Sequence, residues 1–205
     1  MGDLAGNAQK IRQGIASARE QDAALVVFPE LAVCGYTPRD FLARKDFLDA
    51  CQRTLEDLAS EARGIAALVG FPEKRDPPGR PCFNSLALLS DGKIQSIARK
   101  CLLPAYDVFD EPRYFEPATE PTLIDVRGLR IGLSICEDLW NDKGFWTQQA
   151  YPLDPGALAV SRGASLLINA SASPFWQGKG RLREEMIAAA AKRHGVPVLS
   201  VNQVG

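Results

Sequence analysis

The sequence predicts an α/β fold containing a mixed sheet, and three features carry that expectation. Segments with apolar residues at helical spacing alternate along the chain with short, continuous apolar runs, rather than being gathered into separate helical and strand regions. Two of the runs are joined by Asp91-Gly92, a hairpin signal, which puts an antiparallel pair inside an otherwise β-α order. No internal repeat, low-complexity tract or long linker breaks the pattern, and 205 residues suffice for one sizeable core, so a single domain over 1–205 is expected.

Taken in order, NAQKIRQGIASAREQDA (7–23) spaces its apolar residues for a helix, with Asn7 as N-cap, and ALVVFPE (24–30) follows as a short buried strand. Residues 46–63, DFLDACQRTLEDLASEAR, give a second amphipathic helix and GIAALVGFP (64–72) a second strand. CFNSLALLS (82–90) and KIQSIARK (93–100) form the hairpin. An irregular segment over 101–120 leads into the strand pair TLIDVRGLRIGLSIC (122–136). A helix over 151–162, the strand ASLLINAS (164–171), a helix around 180–194 and the strand VPVLSVNQ (196–203) complete the alternation. The chain opens on a helix with no strand before it and stops just after a strand, so both ends are expected to be cut and the sequence to be a fragment.

Lys and Arg total 24 against 25 Asp and Glu, a net charge of -1 that offers no electrostatic footprint for nucleic acid or an anionic membrane. Small or neutral partners are expected. No apolar run reaches the roughly 18 residues of a membrane span, and the first residues lack the apolar core of a signal peptide, so the chain reads as cytoplasmic. The five cysteines, Cys34, Cys51, Cys82, Cys101 and Cys136, are scattered without a C-x-x-C pair, as expected of free thiols in a reducing compartment, and no metal site is expected.

Motifs for phosphate cradling, dinucleotide binding and zinc proteolysis are absent from the sequence, and SDGK (90–93) is better explained as the hairpin turn than as a serine-lysine pair. The single histidine, His194, ends a helix before Gly195, where a cation suits the helix dipole and glycine supplies the cap. A nucleophile here would therefore be activated by something other than imidazole.

Three strand ends supply candidates. Cys136 follows an apolar strand directly and precedes Glu137 and Asp138; a helical turn starting there would aim backbone N–H groups past the thiol and favour thiolate. A buried structural cysteine fits the same position. Glu30 ends ALVVFPE, where partial desolvation would raise its pKa and suit it to take a proton from a thiol, although a solvated loop acid is the ordinary alternative. Lys100 ends KIQSIARK; beside a Glu and a Cys it would stabilise a thiolate and a tetrahedral oxyanion, and alone it would be a solvated edge charge.

These residues stand in blocks with a strong resemblance. LVVFPELAVCGY, ARKCLLPAYDVFDEPRYF and LSICEDLW are similar, in order and spacing, to the signature blocks of the nitrilase, or carbon–nitrogen hydrolase, superfamily. GYTPRDFL, CEDLW and NASASPFWQGKGRLR resemble more closely the glutaminase domain of glutamine-dependent NAD synthetases. The resemblance implies an α-β-β-α sandwich of two mixed sheets, incomplete in this chain, and a Glu30-Lys100-Cys136 triad with Glu111 as a second glutamate. It implies contacts to L-glutamine from Tyr106, Ser173 and Lys179, with Glu137 among the substrate-binding residues. Tyr106 could equally be a core aromatic and Lys179 a solvated loop cation. The implied reaction is hydrolysis of the glutamine side-chain amide through a cysteine thioester, with no cofactor or metal. The ammonia would serve a separate or missing synthetase domain, where ATP and Mg would act. Association through helical faces into a homo-oligomer is also implied. A stand-alone amidase or carbamoylase and a non-catalytic partner-binding fragment are the rival expectations.

Overall fold

Apolar runs too continuous for a half-exposed sheet need cover on both faces, and the fold provides it with two sheets back to back and helices outside. The computed structural model describes residues 1–141, 145 and 151–204. Its elements are α1 (Leu4–Glu20), β1 (Leu25–Val27), α2 (Lys45–Glu61), β2 (Ala66–Lys74), β3 (Cys82–Ser90), β4 (Lys93–Arg99), α3 (Glu111–Tyr114), β5 (Leu123–Val126), β6 (Leu129–Ile135), α4 (Pro155–Ser161), β7 (Leu166–Ser171), α5 (Lys179–His194) and β8 (Val198–Asn202). Short 3-10 turns occupy Arg39–Ala43 and Cys136–Leu139.

The first sheet has the order β1-β2-β3-β4 and the second β5-β6-β7-β8. In the first only β1 and β2 are parallel; in the second β5 and β6 are antiparallel and the rest parallel, so both sheets are mixed. Leu68, Leu86 and Leu88 of the first meet Ile131, Leu133 and Ile168 of the second in the central core. On the outer face of the first sheet, Ile11 and Ile15 of α1 and Leu55 and Leu58 of α2 pack with Val69, Phe71 and Leu89. Against the second sheet lie α4, through Ala159 on Leu167, and α5, through Met186 and Ala190 near Val198. The result is the α-β-β-α sandwich.

Several local expectations are corrected. Helix α1 begins three residues before Asn7, because the Asp3 carboxylate accepts from Gly6 N at 2.9 Å and caps it. Asn7 is inside the helix and its Nδ2 donates to Val33 O at 3.1 Å, tying α1 to the segment after Glu30. Strand β1 is only three residues long, since Pro29 has no N–H to give the ladder and Leu31 turns the chain away at φ 50°. Helix α4 starts at Pro155, not 151: Asp154 accepts from Ala157 N at 2.9 Å, and Pro155 suits the first helical position. The expected hairpin forms, with Asp91 and Gly92 both left-handed, at φ 54° and 79°.

Candidate active site

Strands of both sheets end at one place between the layers, and each end brings a reactive side chain. Glu30 arrives because β1 stops early and the chain crosses β2 at Gly70. A β-carbon on Gly70 would lie 2.3 Å from Pro29 O and 2.5 Å from Leu31 N, so the crossing requires glycine. Lys100 follows β4, Glu111 opens α3 and Cys136 follows β6.

Lys100 Nζ donates to Glu30 Oε1 and to Glu111 Oε1, both at 2.8 Å, with Glu30 and Lys100 each only 1% exposed. Glu30 is held further by Asn84 Nδ2 on Oε1, at 2.8 Å, and by Ala172 N on Oε2, at 2.9 Å. Glu111 Oε1 also accepts from the Tyr36 hydroxyl at 2.9 Å, whereas its Oε2 is buried without a partner among the described residues. Burial opposes the Lys100 charge, but Glu111 and Glu30 outweigh it and hold the ammonium well above its usual pKa. Burial pushes Glu111 up to about 7, against the pull of Lys100 and the Tyr36 hydrogen bond.

Cys136 sits at the elbow in the left-handed region, φ 46°, as the first residue of the 3-10 turn. Asn169 Nδ2 donates to its carbonyl at 3.2 Å and to Ser134 Oγ at 3.1 Å. Asp138 accepts from Ile135 N at 2.9 Å, Cys101 N at 3.0 Å and Leu102 N at 2.8 Å, so one carboxylate ties the elbow to the residues after Lys100. The expectation that the elbow favours thiolate is corrected. Burial first, then the Glu30 charge, drive the thiol pKa well up; Lys100 lowers it but does not prevail, and Glu111 raises it again.

A cleft of about 390 Å³ opens onto Cys136, walled by Tyr106, Glu137, Trp140, Ser173 and Lys179 among others. The Tyr106 hydroxyl donates to Glu137 Oε2 at 2.8 Å, so this tyrosine is a half-exposed wall residue and not a core aromatic. Glu137 is buried, which raises its carboxyl pKa despite the Tyr106 hydrogen bond and the charge of Lys100. Lys179, the first residue of α5, is partly buried with Nζ 5.6 Å from the Trp140 ring centroid, and its pKa is lowered by that burial. Ser173 N donates to Asn202 Oδ1 at 2.9 Å. All eight sequence candidates therefore converge: Glu30, Lys100, Glu111 and Cys136 beneath, Tyr106, Glu137, Ser173 and Lys179 around. His194 is elsewhere, in the outer helical layer where its Nε2 would lie 3.3 Å from a β-carbon on Gly156, and Gly195 caps its helix at φ 68°.

Sequence reasoning missed Tyr36, Asn84, Asp138 and Asn169. Asn84 and Asn169 carried a usable signal, being amides in the apolar runs CFNSLALLS and LLINAS, where a buried polar group needs a partner. Asp138 was visible only as one of two acids after the cysteine. Tyr36 stood at the end of the block LVVFPELAVCGY, but nothing local pointed to its contact with Glu111.

Comparison with known proteins places residues 1–205 in the carbon-nitrogen hydrolase family, the class of enzyme that this sandwich and its strand ends define. The chain belongs to that family. Over its whole length it is 41% identical to a glutamine-dependent NAD(+) synthetase of Synechocystis sp., and 35% identical to that of Thermotoga maritima. It spans only 38% and 34% of those two proteins. The structure of glutamine-dependent NAD+ synthetase from Acinetobacter baumannii, solved with ADP, superposes on all of this chain with a TM-score of 0.88 at 30% identity, using 36% of that protein. An amidase of the nitrilase superfamily from Nesterenkonia shares the fold, with a TM-score of 0.81 at 23% identity over 72% of its length.

Proposed function

We propose that this chain is the glutamine-hydrolysing part of a glutamine-dependent NAD synthetase, releasing ammonia through a Glu30-Lys100-Cys136 triad. The observation that carries the proposal is the buried Lys100 between Glu30 and Glu111 under a cleft that opens on Cys136. Its position supports the triad, and the relatives support glutamine as substrate.

As the Cys136 sulfur attacks the side-chain carbonyl of L-glutamine, Glu30 takes the thiol proton. Transfer during attack suits a thiol whose resting pKa is raised. The oxyanion is met by the Lys100 ammonium and a backbone N–H near Glu137. Glu111 Oε2, buried without a partner among the described residues, accepts from the substrate's amide N–H. Glu30 returns the proton to the leaving nitrogen, ammonia departs, and a thioester on Cys136 remains. Glu30 then deprotonates the water that attacks the thioester and passes that proton to the Cys136 sulfur as the carbon–sulfur bond breaks, so that glutamate leaves and the thiol is restored. The charged end of the substrate sits in the cleft wall, its ammonium toward Glu137 and its carboxylate toward Lys179, with Ser173 and Tyr106 bordering it. This half-reaction uses no cofactor. ATP and Mg belong to the synthetase half, a separate or covalently linked partner that amidates nicotinic acid adenine dinucleotide.

The test is ammonia release from L-glutamine by this chain and by Cys136→Ala, with circular dichroism on both. Release by the wild type that falls at least about a thousandfold in the variant is the expected result. Equal or faster release from propionamide would point to a general amidase. A folded wild type silent toward every amide would leave a non-catalytic, partner-binding module.

A further inference from the structure

We propose that Tyr36 is a positioning residue for Glu111: its hydroxyl holds Oε1 and so leaves Oε2 as the acceptor for the scissile amide. The assignment rests on the glutaminase reading for its substrate but on geometry for its contact. Glu111 presents two oxygens to a dry site. Lys100 Nζ and Tyr36 Oη share Oε1, at 2.8 and 2.9 Å, and among the described residues Oε2 has no partner. A carboxylate held only by Lys100 could rotate and exchange its oxygens, because Lys100 is a single point donor already shared with Glu30. A second donor on the same oxygen, carried by the segment after β1 while Lys100 comes from the end of β4, removes that freedom. Tyr36 is itself fixed from outside the cluster, with its ring 6.2 Å from that of Phe109.

The hydroxyl acts on charge as well as on orientation. The groups facing Glu111 are Lys100 from the end of β4, Glu30 from beyond β1, Cys136 from the elbow after β6, Tyr36, and, more remotely, the Tyr151 phenol. Of these, only Lys100 and Tyr36 favour ionised Glu111. Without the Tyr36 hydroxyl the carboxyl keeps its proton to higher pH, and a neutral Glu111 raises the Cys136 pKa less than an ionised one does. Losing the hydroxyl should therefore slow turnover while making the free thiol easier to ionise, a pair of opposite effects that a merely structural role would not produce.

Tyr36→Phe keeps the ring and deletes only the donor. Ammonia release from L-glutamine should show kcat about tenfold lower, KM little changed and the acid limb of the pH profile moved up by about one pH unit. Carbamidomethylation of Cys136 by iodoacetamide, followed by intact mass, should become faster just above neutral pH, where Glu111 is ionised in the wild type but still protonated in the variant. In a Glu111→Gln background the same Tyr36→Phe change should leave the alkylation profile where it was. Wild-type kcat and pH profiles in Tyr36→Phe would overturn the assignment, as would an alkylation shift that persists without the Glu111 carboxyl. If wild type releases no ammonia, the alkylation measurements alone decide: the glutaminase reading then fails, and Tyr36 stands or falls on whether its effect needs Glu111.

Discussion

At the bottom of the cleft, Glu30, Lys100 and Glu111 are held by one another and by Asn84, Tyr36 and a backbone N–H, with almost no solvent contact. Around its rim, Tyr106 is half exposed, Lys179 opens a helix, and their groups face open volume. The first region gains its reactivity from exclusion of water, which strengthens each charge interaction and raises the Cys136 and Glu111 pKa values. The second keeps water until a substrate displaces it. Damage to the lower region should therefore cost both folding and chemistry, and damage to the rim should cost recognition alone.

The sharpest way to break that contrast is Lys100→Ala. It leaves two carboxylates buried without their cation, and urea unfolding at pH 8 should show a loss of about 3–5 kcal/mol, with ammonia release abolished. The deficit should shrink at pH 5, because Glu111, its pKa raised by burial, then binds a proton and one of the two stranded charges disappears. A variant as stable as wild type at pH 8 would mean that the site is wetter than its burial implies.

Gly70→Ala tests the same region through the backbone. The added β-carbon would meet Pro29 O and Leu31 N, which flank Glu30, so relief must move the Glu30 carboxylate itself. A loss of about 3 kcal/mol in urea unfolding, with activity reduced beyond what the unfolded fraction explains, is expected. Next in size is a pH effect. The folded-state pKa of Glu111 is raised from 4.5 to about 7, so its contribution to stability is complete below about pH 4.5 and is lost as pH rises through 7. Glu111→Gln removes that dependence, and relative to wild type it should gain on the order of 2 kcal/mol between pH 5 and pH 8.

The same division explains what could be read from the sequence. Alternating patterns gave away the layers because burial of a sheet on both faces demands continuous apolar runs, and the Asp91-Gly92 turn fixed one antiparallel pair. Glu30, Lys100 and Cys136 were legible as polar groups ending such runs. The pairing of strands into two sheets was not, since register and crossover depend on contacts between distant segments; only the resemblance supplied it. Tyr36 and Asp138 escaped because their work is done across long stretches of chain, 75 residues away for Tyr36 and 36 and 37 for two of the three Asp138 hydrogen bonds. Residues of the rim, such as Ser173 and Lys179, have no local signal at all: a serine and a lysine in a loop look the same whether or not a substrate meets them.

Lys179→Ala should produce the smallest effect and sharpen the contrast most. The side chain is partly exposed at the first position of α5, so its removal should leave the thermal midpoint within about 2 °C of wild type. If its ammonium meets the substrate carboxylate equally in the ground and transition states, KM for L-glutamine should rise about tenfold with kcat nearly unchanged. An amide lacking the carboxylate, such as propionamide, should be hydrolysed by wild type and variant at the same rate. A fall in kcat with glutamine would show instead that the rim contact helps align the scissile amide between Cys136 and Glu111, coupling recognition to the chemistry beneath it. Rim and base would then act as one device, and the separation drawn from their burial would hold for stability but not for catalysis.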